Sequence, residues 1–385
     1  MRCLHLLYMY PLYNRICALL IVLCASFCVK AQTTDPLVGY GFEVNTFAGH
    51  VIKHSPKFHL PLPSLSTGVD MNLVYKCSGR KVWEECRHFP TIGLGFTYTN
   101  YGIDSVYGRC FSIYPNITFP LISTKKFEWT IRIGDGMGYV TKKYSRKVIS
   151  DTLNNAIGSY INDYASFNTD IRYSANKHWD IQAGLNFTHI SDASYHQPNL
   201  GINLYGAHVG IRYFPSSSKP DHICRKPQQL RDRWLIQMRA GIAFNQIEAP
   251  QGPTYPVYMT TLYASRRWRG KNKVYAGIDY SYHEAIYAYQ RNNEINPGNE
   301  VANAYKAAII AGNEWQFGRV GIILQMGYYL KQSTLKQDRY YEKIGGHYYL
   351  VQREKGPVKE FFLTGFLKTH KSVAELAEFG FGFGF

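Results

Sequence analysis

After residue 31 the chain contains no run of 18 or more apolar residues, which excludes a membrane-spanning helix. Cysteine is sparse, with 8 in 385 residues, and no Cys-x-x-Cys or Cys/His spacing suggests a metal site. Acidic residues are fewer than basic ones, 27 against 43, for a formal charge of +16. The glycine pattern Gly134-x-Gly136-x-Gly138 lies within an alternating stretch and not at a strand-to-helix turn, so it makes a poor phosphate cradle. No nucleotide or nucleic-acid motif stands out.

Residues 1–31 read as a secretory signal peptide, with Arg2 and Arg15 at the front, an apolar Ile16–Val29 segment, and Val29-Lys30-Ala31 as the cleavage site. Neither Cys24 nor Cys28 follows the small residue of a lipoprotein signal. Cleavage removes Arg2, Arg15 and Lys30 and takes the charge from +16 to +13. It leaves Cys77, Cys86, Cys110 and Cys224 in an oxidising compartment, where Cys77 and Cys86 flank a short turn and can pair.

Aromatic residues make up 15% of the chain, with 32 Tyr, and they accompany 33 Gly. That mixture suits an aromatic-girdled barrel better than a soluble domain. Period-two alternation predicts strands over 38–52, 67–78, 91–101, 107–119, 126–139, 162–174, 178–191 and 202–214. A second set covers 233–246, 257–268, 272–283, 303–315, 317–330, 343–353, 358–368 and 372–385. About sixteen strands, an even number, predict an all-β fold: a transmembrane antiparallel β-barrel of the bacterial outer membrane. If the first strand runs outward, long connections such as 53–66, 140–161, 284–302 and 331–342 are external, and short ones such as 175–177 and 269–271 are periplasmic. The connection 215–232 is long for a periplasmic turn. Residues 38–214 then form one barrel portion and 233–385 the strands completing the barrel; the alternative is an 8-strand barrel plus a second β unit. The last strand sets Phe379, Phe381, Phe383 and Phe385 on one face and Gly380, Gly382 and Gly384 on the other, as expected of a lipid-facing aromatic row. The basic surface suggests anionic partners such as lipopolysaccharide phosphates, or dispersed charge that keeps the loops solvated.

One feature breaks the apolar face. In 178–191 the odd positions run Trp179, Ile181, Ala183, Leu185, Phe187 and then His189 and Ser191. In 202–214 the odd face begins at Asn203 and continues with Tyr205, Ala207, Val209 and Ile211. His189, Ser191 and Asn203 therefore flank one connection, facing lipid at the outer rim. A histidine two positions from a serine on a strand can act as its base, and an amide on the next strand can orient the imidazole. A lipid-facing serine so activated would attack a lipid ester. The bland reading is a set of rim residues that hydrogen-bond headgroups. The His-x-Ser spacing also occurs at His370-Lys371-Ser372, so by itself it is weak.

His189-Ile190-Ser191 followed by Gln197-Pro198-Asn199-Leu200-Gly201-Ile202-Asn203 resembles the PagL-type lipid A 3-O-deacylases, whose longer relatives are called acyloxyacyl hydrolases. The resemblance extends back through Arg132–Tyr139 and Asn155–Ser159. It implies an outer-membrane hydrolase that removes the ester-linked 3-O-acyl chain of lipid A through an acyl-enzyme, with lipid A or lipopolysaccharide as partner and no metal or cofactor. Ser191 would be the nucleophile and His189 the base. Asn203 stands where short members carry Glu. Asp192 and Ser194 stand where members have Asn and Gly, which contribute to the oxyanion hole. Other expectations are a non-catalytic channel or structural barrel, or another lipid esterase or acyltransferase.

Overall fold

Alternating apolar and polar residues give strands with one face for lipid and one for the interior, and all sixteen are present. The first eight are β1 (Tyr40–Ile52), β2 (Ser66–Lys76), β3 (Thr91–Asn100), β4 (Arg109–Ser123), β5 (Phe127–Val140), β6 (Ile161–Ser174), β7 (Trp179–Ser191) and β8 (Ile202–Tyr213). The second eight are β9 (Trp234–Gln246), β10 (Thr254–Trp268), β11 (Asn272–His283), β12 (Tyr305–Phe317), β13 (Val320–Lys331), β14 (Tyr340–Gln352), β15 (Glu360–His370) and β16 (Val373–Gly384). The computed structural model describes residues 35–385 except 54, 219, 221, 223–232, 247–249, 251, 269–270 and 372. The signal segment, Cys224, Ser372 and most of 215–232 lie outside the described residues. Gly39–Phe385 forms one compact unit that contains every strand.

The strands close as two eight-stranded antiparallel barrels. β8 returns to β1, from Phe42↔Tyr213 to Ile52↔Asn203, and β16 returns to β9, from Glu378↔Ala243 to Gly384↔Gln237. The expectation that 233–385 complete one barrel with the first half is thereby corrected to its alternative, a barrel plus a second β unit. The physical reason lies in the inward faces. Glu43 accepts Arg132 at 3.3 Å and Arg172 at 3.3 Å and lies 3.6 Å from Arg212, three cations from three different strands. Arg132 also pairs with Asp70, and Asp180 holds Arg212 at 2.7 Å. Arg212 is the ladder neighbour of both Glu43 and Asp180, but Glu43 on β1 and Arg132 on β5 meet only across the narrow lumen of an eight-stranded barrel, which side chains fill. The second barrel repeats the device, with Glu360 between Lys273 and Arg267, and Lys343 between Asp279 and Glu378.

Outward positions are large and apolar, among them Leu185, Val209, Ile278, Phe379 and Phe381, all exposed. No helix among the described residues is long and apolar enough to cross a membrane. The connections 53–65, 141–160, 284–304 and 332–339 fall at the same rim as 192–201, as expected at the external side of outer-membrane barrels. The opposite rim also carries one helical connection, α1 (Val82–Cys86). There Arg87 donates to Lys271 O at 2.7 Å and Asn272 Oδ1 at 3.0 Å, and Trp83 meets Phe317 edge-on, so the barrels touch at this rim. Cys77 and Cys86 do not pair. Cys77, Cys86 and Cys110 are free thiols, and burial pushes the Cys77 thiol up to about 12.

Candidate active site

β7 carries His189 and Ser191 to its outer end, and β8 begins beside them with Asn203. The ladder sets His189 directly opposite Asn203, so both side chains leave the same face. The alternation predicted for β7 holds: Trp179, Ile181 and Leu185 are exposed, while Asp180, Gln182 and Asn186 are buried. His189 Nδ1 lies 2.5 Å from Asn203 Oδ1, and His189 Nε2 lies 3.1 Å from Ser191 Oγ. An amide oxygen only accepts, so the ring proton sits on Nδ1. Nε2 is left with a lone pair for the serine hydroxyl. That is the tautomer a general base requires.

The returning connection 192–201 brings Gly201 against the pair, and Ser191 is only 3% exposed. Gly201 makes the close fold possible. Its φ is +76°, and a Cβ there would lie 2.7 Å from His189 Cε1 and 3.3 Å from Ser191 Cβ. Its N–H donates to Ala156 O at 2.9 Å, which ties the loop to the 141–160 connection.

Asp192 and Ser194 do not present themselves as oxyanion donors. The Asp192 N–H is taken by Asn199 Oδ1 at 3.0 Å. Its carboxyl turns into the loop, where Oδ2 accepts the His196 N–H at 3.2 Å. Burial pushes this carboxyl up to about 7, partly offset by the His196 and Ser194 N–H groups, the Ser159 hydroxyl and Lys143. The Ser194 N–H, the group expected at the oxyanion hole, turns to the Asp192 carboxyl, and its hydroxyl donates to Ala374 O at 2.7 Å in the second barrel. Asn199 has a side-chain donor to spare. Its oxygen is fixed next to Ser191 by the Asp192 N–H, and its Nδ2 is buried without a hydrogen-bond partner. The sequence reading quoted Asn199 only within a motif. A loop amide has no strand parity to mark it.

Two carboxylates were also missed. Asp163 stands opposite Ser191 in the β6–β7 ladder, and Asp135 opposite Ala165 in the β5–β6 ladder, both on outward positions. Their parity was readable, since the odd positions of β5 and β6 are otherwise mainly apolar. Outward carboxylates are costly in hydrocarbon, which fits a site at the membrane rim and not at mid-bilayer. The second His-x-Ser histidine lies elsewhere: His370 turns to Glu375 Oε2 at 3.0 Å and Tyr340 O at 3.1 Å. Among the described residues no group of three His, Cys, Asp or Glu is arranged to hold a metal.

Residues 67–212 match the family model of lipid A 3-O-deacylase (PagL), and residues 233–385 match the model of the acyloxyacyl hydrolase C-terminal domain. The chain belongs to the PagL family. Membership makes it an outer-membrane β-barrel protein of a hydrolase family that acts on lipid A esters, with the deacylase match on the first barrel and the C-terminal match on the second. No curated protein matches the chain. Among solved structures, the outer membrane enzyme PagL is 16% identical, with TM-score 0.29, covering 43% of this chain and 97% of its own. Neisserial surface protein A is 10% identical, with TM-score 0.31, covering 46% and 97%. A mutant Rh. blastica porin is 10% identical, with TM-score 0.19, covering 90% and 99%. Family membership stands on the two sequence matches and not on these remote likenesses.

Proposed function

We propose that the first barrel removes the 3-O-acyl chain of lipid A with Ser191 as nucleophile, His189 as general base and Asn203 as the group that orients the imidazole. The observation that carries this reading is the pair of contacts on one ring, Nδ1 to Asn203 Oδ1 and Nε2 to Ser191 Oγ, on the outward face of the barrel. Ser191 Oγ attacks the ester carbonyl as its proton passes to Nε2. Asn199 Nδ2 donates to the oxygen that becomes negative. Collapse of the tetrahedral adduct breaks the bond to the sugar oxygen, which leaves with the proton from Nε2. Water, deprotonated by Nε2, then cleaves the acyl-enzyme, releases the hydroxy fatty acid and restores Ser191.

The surroundings support a phosphorylated lipid substrate. Lys142, Lys143, Arg146 and Lys147 lie on the external connection that packs beside the site, and Lys143 acts on both Asp192 and His196. The ion pairs that cross each barrel favour an enzyme over a channel, since they fill the space that an aqueous pore needs.

Labelling with a lipid-soluble fluorophosphonate tests the reading. Peptide mass spectrometry should find the adduct on Ser191, and His189→Ala should abolish labelling. An adduct on another serine, or equal labelling of the His189→Ala protein, contradicts it.

A further inference from the structure

The catalytic loop is held from outside its own barrel. Its backbone turns through two consecutive left-handed residues, Ala193 at φ +54° and Ser194 at φ +64°, conformations that non-glycine residues keep only when their surroundings impose them. The turn is closed within the loop by the Tyr195 N–H on Asp192 O at 3.1 Å, and groups from the second barrel hold it from outside. Gln246, the last residue of β9, accepts the Gln197 N–H on its side-chain oxygen at 2.6 Å, and its own N–H donates to Ser194 O at 3.2 Å. Ala374 O, near the start of β16, accepts the Ser194 hydroxyl at 2.7 Å. The Gln246 amide is itself tethered, its Nε2 donating to Gly252 O.

Packing covers Ala193 and Ser194, which are buried, but it is incomplete behind them. Behind the loop lies a cavity of about 240 Å³ whose walls include Ser194, Gln197, Asn245, Lys306 and Glu375. Ile286 and Leu335 share those walls, and across such a space the three hydrogen bonds are the specific contacts that tie the loop to the second barrel. That position matters to the chemistry. The same loop carries Asn199, which binds the Asp192 N–H next to the serine, and Gly201, which lies against the His189 ring.

We infer that Gln246 is a positioning residue for the active site, and that the second barrel serves the first by fixing the 192–201 loop. This rests on the deacylase reading for its kinetic consequence, but not for its structural one. Gln246 touches neither the serine nor the histidine and acts only through the loop backbone.

Three variants of the full chain in detergent micelles test it. Gln246→Ala removes the acceptor for Gln197. Gln246→Glu keeps an acceptor there. Arg87→Ala weakens the barrel contact at the far rim and leaves the loop alone. In hydrogen exchange, peptides covering 192–201 should exchange at least about tenfold faster in Gln246→Ala, and at the wild-type rate in Arg87→Ala. For lipid A hydrolysis, Gln246→Ala should lower kcat by about ten- to hundredfold with KM little changed, as misplacement of a catalytic group does. Gln246→Glu should recover most of that loss.

Unchanged exchange in Gln246→Ala overturns the inference. So does faster exchange with unchanged or raised kcat, which would make the contact structural or inhibitory. Slower turnover in Arg87→Ala equal to that of Gln246→Ala also overturns it, because barrel association in general would then be responsible. If the wild type shows no Ser191-dependent hydrolysis, the deacylase reading fails by itself, and the exchange result alone decides whether Gln246 holds the loop.

Discussion

Asn203 presents its amide oxygen to His189 Nδ1 at 2.5 Å across the β7–β8 ladder, so a neutral side chain occupies the orienting position of the site. The amide fixes the ring and its tautomer but offers no charge to the imidazolium that forms during attack. Asn203→Glu should therefore raise kcat by about tenfold, because a charge-assisted hydrogen bond is stronger than a neutral one. Asn203→Ala should lower it by about a hundredfold, since both ring and tautomer are then unrestrained. Steady-state hydrolysis of lipid A in micelles measures both. Equal rates for the three proteins would remove Asn203 from the mechanism.

Gly201 leaves no room for a side chain. With a Cβ 2.7 Å from His189 Cε1 and a φ of +76°, Gly201→Ala must displace either the ring or the loop. The expected result is a loss of about a hundredfold in kcat while the barrel still folds. Heat-modifiable gel mobility reports the folding, and the hydrolysis assay reports the rate.

The Asp192 carboxyl gives the loop a pH dependence. Its folded value of about 7 lies above its ordinary 3.8, so the folded loop holds the proton more tightly than the unfolded chain. The neutral acid is thus the one compatible with burial. Loop stability is greatest below the ordinary value and declines as pH rises from there to about 7. Between about pH 4 and 7, the protection of 192–201 against exchange, corrected for intrinsic rates, should fall in the wild type and stay flat in Asp192→Asn. A wild-type loop with no such fall would show that the carboxyl ionises at no cost.

Glu43 carries the ionic core of the first barrel. Glu43→Gln leaves Arg132, Arg172 and Arg212 with one fewer shared anion, and breaking a buried pair by removing one partner costs about 3 kcal/mol or more. Urea unfolding in micelles should show a loss of that order. The second barrel's Glu360→Gln should do likewise by stranding Arg267 and Lys273.

The legible and illegible parts of the site divide on a physical line. His189, Ser191 and Asn203 stand on strands, where period two decides facing, and facing together with strand direction places them at one rim. Asn199, Gly201 and the turned-in Asp192 stand on a loop, where position depends on individual hydrogen bonds that no periodicity announces. Closure divides in the same manner. Hairpins such as β7–β8 are local and look alike in either architecture. One barrel of sixteen and two of eight differ only in the long-range pairings β8–β1 and β16–β9. The clue was present in the inward charges, whose partners, Glu43 with Arg132 and Arg172, lie close only in a narrow barrel.

The most direct test of the central claim is the mass spectrum of lipid A from a Gram-negative host producing either the wild-type protein or Ser191→Ala, with both shown to be folded in the outer membrane. The account predicts loss of one ester-linked hydroxyacyl chain from position 3 with the wild type, and intact lipid A with Ser191→Ala. The same loss with both proteins, or loss of an acyl chain from another position, would contradict it.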